Sequence, residues 1–142
     1  MVQKIHCIED SLIMQNIYKR MMNEVNFGNE VIAAYDGQQA IEYYKKLTTS
    51  LKSDVESGEI VPDIIFLDLN MPVMDGWEFL EEFSKLSLPE SVEPDIVIVT
   101  SSVNPDDEAR ARRYPGVQAF LSKPLTLEKL QTLKATLNGN TT

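Results

Sequence analysis

Short apolar runs alternate with amphipathic stretches along almost the whole chain. Ile5–Ile8 is a short apolar run that stops at Glu9 and Asp10, and it predicts a strand. Ser11–Val25 follows with Leu12, Ile13, Ile17 and Met21 at helical spacing, which predicts a helix that buries this stripe. Glu30–Tyr35 predicts a second strand. Asp36, with Gln39 three residues on, has the spacing of a capping box for a helix over Gly37–Leu47, with Ala40, Ile41 and Tyr44 on one face. Thr48–Val61 is polar without a clear period and reads as a helix extension followed by a loop. Asp63–Leu69 contains Ile64-Ile65-Phe66-Leu67, a continuous run suited to a strand covered on both faces. Asp75 and Glu78 repeat the capping-box spacing before a helix carrying Trp77, Leu80 and Phe83.

The second half keeps the same rhythm. Asp95–Thr100 holds Ile96-Val97-Ile98-Val99, a fourth strand. Asn104-Pro105 opens a helix with Asp106, Asp107 and Glu108 in its first turn and Arg110, Arg112 and Arg113 toward its end, an order that complements the helix dipole. Pro115-Gly116 stops it. Val117–Ser122 is a fifth strand, and Thr126–Leu137 a last helix with Leu127, Leu130, Leu133 and Leu137. The remaining polar tail is expected to fray. Five strand–helix pairs imply an α/β protein with a five-stranded parallel sheet and helices on both faces.

Composition narrows the role more than the fold. The chain has 142 residues and a net charge of −9, enough length for one domain and the wrong sign for broad binding to nucleic acid or to an anionic membrane. Cys7 is the single cysteine, so no internal disulfide is possible. No signal-peptide pattern or membrane-length apolar run is present, and a cytoplasmic setting is expected.

In open α/β sheets, function collects at the carboxyl ends of the strands. Here those ends carry Glu9-Asp10, Asp68, Thr100 with Ser101 and Ser102, and Lys123-Pro124. Three neighbouring carboxylates cannot all stay ionised without a partner. A hard cation such as Mg²⁺, which takes oxygen ligands and keeps several waters, would relieve the repulsion. A carboxylate can also attack phosphorus to give an aspartyl phosphate, whose oxygens Mg²⁺, Lys123 and the Thr100 hydroxyl would neutralise.

Glu9-Asp10, the segment Phe66-Leu-Asp-Leu-Asn-Met-Pro-Val-Met-Asp-Gly76, Thr100-Ser101 and Lys123-Pro124 resemble, in order, the motifs of the receiver domain of two-component response regulators. The match covers nearly the whole chain, and the Asp68 segment is its most specific part. The resemblance implies a flavodoxin-like doubly wound fold, strand order 2-1-3-4-5, with the receiver domain over residues 1–138 and a disordered tail over 139–142. It makes Asp68 the acceptor of a phosphoryl group from a histidine kinase or a histidine phosphotransfer protein. Glu9, Asp10, Asp68 and the backbone carbonyl of Asn70 would hold Mg²⁺. Thr100 and Lys123 would bind the phosphoryl group, Thr100 and Phe120 would act as the switch, and the bond before Pro124 would be cis. Output would pass from the surface of the fourth helix, fifth strand and fifth helix to an unknown downstream protein, and a homodimer through the same face is a further implied partner. No effector domain follows Leu137, so docking is the expected output, and a bacterial source is expected from the family. Glu9 departs from the commoner Asp, and Phe120 lacks the hydroxyl of a tyrosine.

Other residues have plainer readings. His6 lies within a strand and is expected to be packed and hydrogen-bonded, Cys7 to be small buried filler, and Trp77 and Phe83 to be core. Two other classes compete. A Mg²⁺-dependent phosphatase of the haloacid-dehalogenase type would want an acid two residues after its nucleophile, where this chain has Asn70. A phosphorylation-independent binding module on a decayed receiver fold would lack some of the acids, the Thr or the Lys, and all are present.

Overall fold

The computed structural model describes residues 4–28, 30–52, 61–89, 92–102 and 104–139. The elements run β1 (Lys4–Ile8), α1 (Leu12–Glu24), β2 (Glu30–Ala34), α2 (Gly37–Lys52), β3 (Ile64–Leu67), α3 (Gly76–Ser84), β4 (Asp95–Thr100), α4 (Pro105–Ala111), β5 (Val117–Ser122) and α5 (Leu127–Gly139). The strands form one sheet in the order β2-β1-β3-β4-β5, with every neighbouring pair parallel. This is the doubly wound flavodoxin-like architecture expected from the sequence.

Strand alternation divides the core in two. Ile65, Leu67, Ile96 and Ile98 face Ala40, Ile41, Tyr44 and Leu47 of α2, with Phe79 and Leu80 of α3 and Ala111 of α4. Ile64, Phe66, Val97 and Val99 face the other way, against Tyr18 and Met22 of α1 and Leu130, Leu133 and Leu137 of α5. β3 is buried along its full length, as its unbroken apolar run requires.

The helix starts follow their caps. Asp75 accepts from the Glu78 amide and Glu78 reaches back to the Asp75 amide, a complete capping box. Asn104 caps α4 with Pro105 at the first helical position. Asp36 accepts from the Gln39 amide, but the Gln39 side chain bonds the amide of Tyr35 rather than that of Asp36. Helix α2 continues past Leu47 to Lys52, which supplies the helical part of the Thr48–Val61 expectation; residues 53–60 lie outside the described ones. Helix α5 likewise continues through Asn138 to Gly139, and the last three residues lie outside the described ones.

The expected buried stripe of α1 is corrected by the structure. Leu12, Ile13 and Ile17 are 62%, 71% and 43% exposed, while Gln15, Tyr18 and Met22 are buried. The Gln15 amide sets this roll. It donates to the carbonyls of Cys7, Glu9 and Ala34 at 2.9, 3.0 and 3.0 Å, which fastens α1 to the ends of β1 and β2 and turns Tyr18 and Met22 inward. Phe83 departs from the core expectation, half-buried against the cluster on the α2 side, and so does Trp77. Trp77 is half-buried, and the Arg110 guanidinium of α4 lies 4.1 Å above its ring.

Candidate functional site

The parallel register of β1 and β3 pairs Ile8 with Leu67, so the next residues, Glu9 and Asp68, emerge side by side. The ladder continues past both strand ends. The Asp68 amide donates to Ile8 and the Glu9 amide to Ala34, each at 3.0 Å. Both acids are buried, 2% and 5% exposed, and Asp10 beside them is exposed. Carboxylate oxygens of Glu9, Asp10 and Asp68 lie within 4.8 Å of one another. The register thus brings together the three acids expected from the sequence.

Lys123 enters from beyond β5, its amide donating to the Thr100 carbonyl at 2.8 Å. Its ammonium lies 3.1 Å from Glu9 and 3.2 Å from Asp68. Burial works against this ammonium, but the Asp68 and Glu9 carboxylates outweigh it and hold its pKa above the ordinary lysine range. Asp10 is pushed up by a hydrogen bond with Glu9, by burial and by the Glu9 charge. One cation thus offsets two buried carboxylates, and Asp10 adds a third negative group at the mouth.

The remaining expected residues are placed as follows. The Asn70 amide donates to Asp68 Oδ1 at 3.2 Å. Thr100 is fully buried at the end of β4, and its hydroxyl accepts from the Ser102 amide at 3.2 Å. Phe120 is half-buried and packs against the core on the α2, α3 and α4 side. The Lys123–Pro124 bond is cis. Asp10 does not cap α1; Ser11 does, accepting from Met14, while the Ser11 amide donates to Glu9.

Three supports of the site lay outside the sequence reading. Gln15 anchors the loop after β1; its signal was a polar side chain between Met14 and Tyr18 on one helical face. Lys129, in the first turn of α5 where a cation is out of place by the dipole, donates to the carbonyls of Ser122 at 2.7 Å and Pro124 at 2.9 Å and so clasps the turn carrying Lys123. Gly76 packs so close to Asp68 that an added Cβ would stand 2.6 Å from the Asp68 carbonyl oxygen. His6 and Cys7 take their plainer roles. His6 Nδ1 bonds the Tyr44 hydroxyl at 3.0 Å, and burial lowers its pKa to about 4. Burial, then the charges of Glu9 and Asp68, push the Cys7 thiol up to about 12, so it is no nucleophile.

A parallel α/β sheet with a carboxylate–lysine cluster at its carboxyl edge is the class that fold and site define. A family model described as "Response regulator receiver domain" matches residues 5–134, and the chain belongs to that family. It is 26% identical to two-component response regulator 24 of Arabidopsis thaliana, over 92% of this chain and 81% of that protein. It is 32% identical to the osmosensing histidine protein kinase SLN1 of Saccharomyces cerevisiae, over 92% of this chain but only 10% of the kinase. Among solved structures, a two component response regulator from Cytophaga hutchinsonii superposes with a TM-score of 0.79 at 25% identity, covering 97% of this chain and 98% of that one. The receiver domain of sensor histidine kinase PA1611 from Pseudomonas aeruginosa, solved with a magnesium ion coordinated in its active site cleft, shares the fold at TM-score 0.68 and 21% identity, with 94% of each chain covered. The chain therefore spans most of a response regulator but about a tenth of the yeast kinase. Plant and yeast relatives stand beside bacterial ones, so family membership does not carry the expected bacterial source.

Proposed function

We propose that the protein is the phosphoacceptor switch of a two-component relay, with Asp68 as the group that takes the phosphoryl from a histidine kinase or histidine phosphotransfer protein. The observation that carries this reading is the convergence of Glu9, Asp10 and Asp68 with Lys123 at one sheet edge. The donor set is all oxygen, as a hard cation wants, and Mg²⁺ held there by Glu9, Asp10, Asp68 and the Asn70 carbonyl would neutralise charge on the phosphoryl oxygens.

The chain's own groups do the rest. Asp68 presents one carboxylate oxygen to phosphorus while the Asn70 amide orients the other. Lys123 exchanges its bond with Asp68 for one with a phosphoryl oxygen. Thr100 gives up its bond with the Ser102 amide and donates its hydroxyl to the new anion. Phosphorylation takes the Asp68 side chain from −1 toward −2 and adds acceptor oxygens. Withdrawal of Thr100 opens room behind it for Phe120 to bury fully, and the surface of α4, β5 and α5 changes for a downstream protein. Leu12, Ile13 and Ile17, exposed on α1 just past Asp10, offer the phosphodonor an apolar landing next to the acidic rim. No helix among the described residues is long and apolar enough to cross a membrane.

A phosphate-affinity gel after incubation with acetyl phosphate tests the reading. A retarded band that requires Mg²⁺ and is missing in Asp68→Ala is expected. A band that forms equally in Asp68→Ala would overturn it.

A further inference from the structure

Tyr18, on the inner face of α1, is 3% exposed, and its hydroxyl is buried without a hydrogen-bond partner among the described residues. A buried hydroxyl left in that state is costly, and native structures rarely keep one. Tyr18 lines a small cavity together with Cys7, Ile8, Glu9, Phe66, Leu67, Asp68 and Val99. This cavity lies directly beneath the acidic rim, since Glu9 and Asp68 form part of its wall. The space open to the centre of a water molecule is about 10 Å³, room for one water and for nothing larger.

Three of the lining residues, Tyr18, Glu9 and Asp68, carry polar side chains. A water oxygen can accept one hydrogen bond while its two protons are donated elsewhere. The Tyr18 hydroxyl is a donor, and burial pushes its pKa up to about 12, so it keeps its proton at any working pH. Glu9 and Asp68 are acceptors with lone pairs to spare, because Lys123, the Ser11 amide and the Asn70 amide use only part of their capacity.

We propose that one buried water is held beneath the rim by Tyr18, Glu9 and Asp68, and that Tyr18 is a positioning residue that steadies the two carboxylates through it. The water accepts from Tyr18 and donates one proton to each carboxylate. The two acids, which repel each other, are thereby held at a fixed separation from below while Lys123 holds them from above. The functional part of this inference rests on the proposed reading of the rim as a Mg²⁺ site; the water itself does not.

The test uses the whole chain and two independent readouts. A high-resolution crystal structure of the wild type without phosphodonor is expected to show an ordered water within hydrogen-bond reach of Tyr18 and of at least one of Glu9 and Asp68. Mg²⁺ alone, titrated into wild type and Tyr18→Phe and followed by calorimetry, is expected to bind the variant about tenfold more weakly, the low end of what loss of an outer-shell partner does to metal affinity. The phenylalanine keeps the ring packing, so a purely structural Tyr18 would leave Mg²⁺ affinity unchanged. A dry cavity in the crystal overturns the proposal. So does unchanged Mg²⁺ affinity with a raised melting temperature in Tyr18→Phe, because removal of an unpaired buried hydroxyl stabilises. Failure of the wild type to bind Mg²⁺ at all would instead contradict the reading of the rim and leave the crystallographic result to decide the water.

Discussion

The Lys123 ammonium lies 3.2 Å from the Asp68 carboxylate. The contact joins the residues that follow β3 and β5, 55 positions apart in sequence, and Glu9, at 3.1 Å from the same nitrogen, makes it a shared bond. Lys123→Met keeps the apolar stem and removes the charge, leaving two buried carboxylates uncompensated. Loss of a partner from a fully buried pair costs about 3–5 kcal/mol; with 26% of the Lys123 side chain exposed, about 1–2 kcal/mol is expected. Mg²⁺ should then raise the melting temperature of the variant by more than that of the wild type, since the cation no longer shares the acids with an ammonium. Thermal melts with and without Mg²⁺ check this.

His6 gives the protein a pH dependence separate from the rim. Its folded-state pKa of about 4 lies below the ordinary 6.5, so the unfolded chain binds the extra proton between those values. Its contribution to stability is complete above pH 6.5 and is lost as pH falls toward 4. Between pH 7 and pH 5 the loss amounts to about 2 kcal/mol. Urea unfolding at the two pH values should show that drop in the wild type and a drop smaller by about that amount in His6→Leu, whatever the variant's absolute stability.

Gly76→Ala should destabilise although alanine is the better helix former. The new Cβ meets backbone, the Asp68 carbonyl oxygen at 2.6 Å and the Leu69 Cα at 2.7 Å, and neither can rotate away. A loss of about 2 kcal/mol by chemical denaturation is expected from overpacking of this kind. The displacement falls on Asp68 itself, so Mg²⁺ binding should weaken as well.

Asp10→Asn separates metal binding from folding. Asp10 is exposed and its charge is opposed by Glu9. The variant should melt at or slightly above the wild-type temperature while binding Mg²⁺ at least several-fold more weakly, as measured by calorimetry.

The site was more legible than its supports. Strands β3 and β4 show as unbroken apolar runs because both faces are covered, and their ends then carry Asp68 and Thr100 to the rim. Lys123 shows because it follows the fifth run. The roll of α1 was not legible. Two apolar stripes exist on that helix, and the choice between them rests on the long-range bonds of Gln15 to Cys7, Glu9 and Ala34, which no local period records. Val73 is similar. Its φ of 68° and the bond from the Met74 amide to the Pro72 carbonyl form a tight turn that a β-branched residue does not announce. The clasp of Lys129 on the turn after β5 was hidden for the opposite reason. A lysine in a first helical turn signals nothing until the fold brings carbonyls to it.

The central claim is that Asp68 accepts the phosphoryl group in a Mg²⁺-dependent reaction. Its most direct test is to treat the protein with acetyl phosphate and Mg²⁺, trap the acyl phosphate by borohydride reduction, and locate the modified residue by peptide mass spectrometry. A single modification at Asp68 that disappears when Mg²⁺ is chelated is the predicted result. Modification at another residue, or at Asp68 to the same extent without Mg²⁺, would contradict the account.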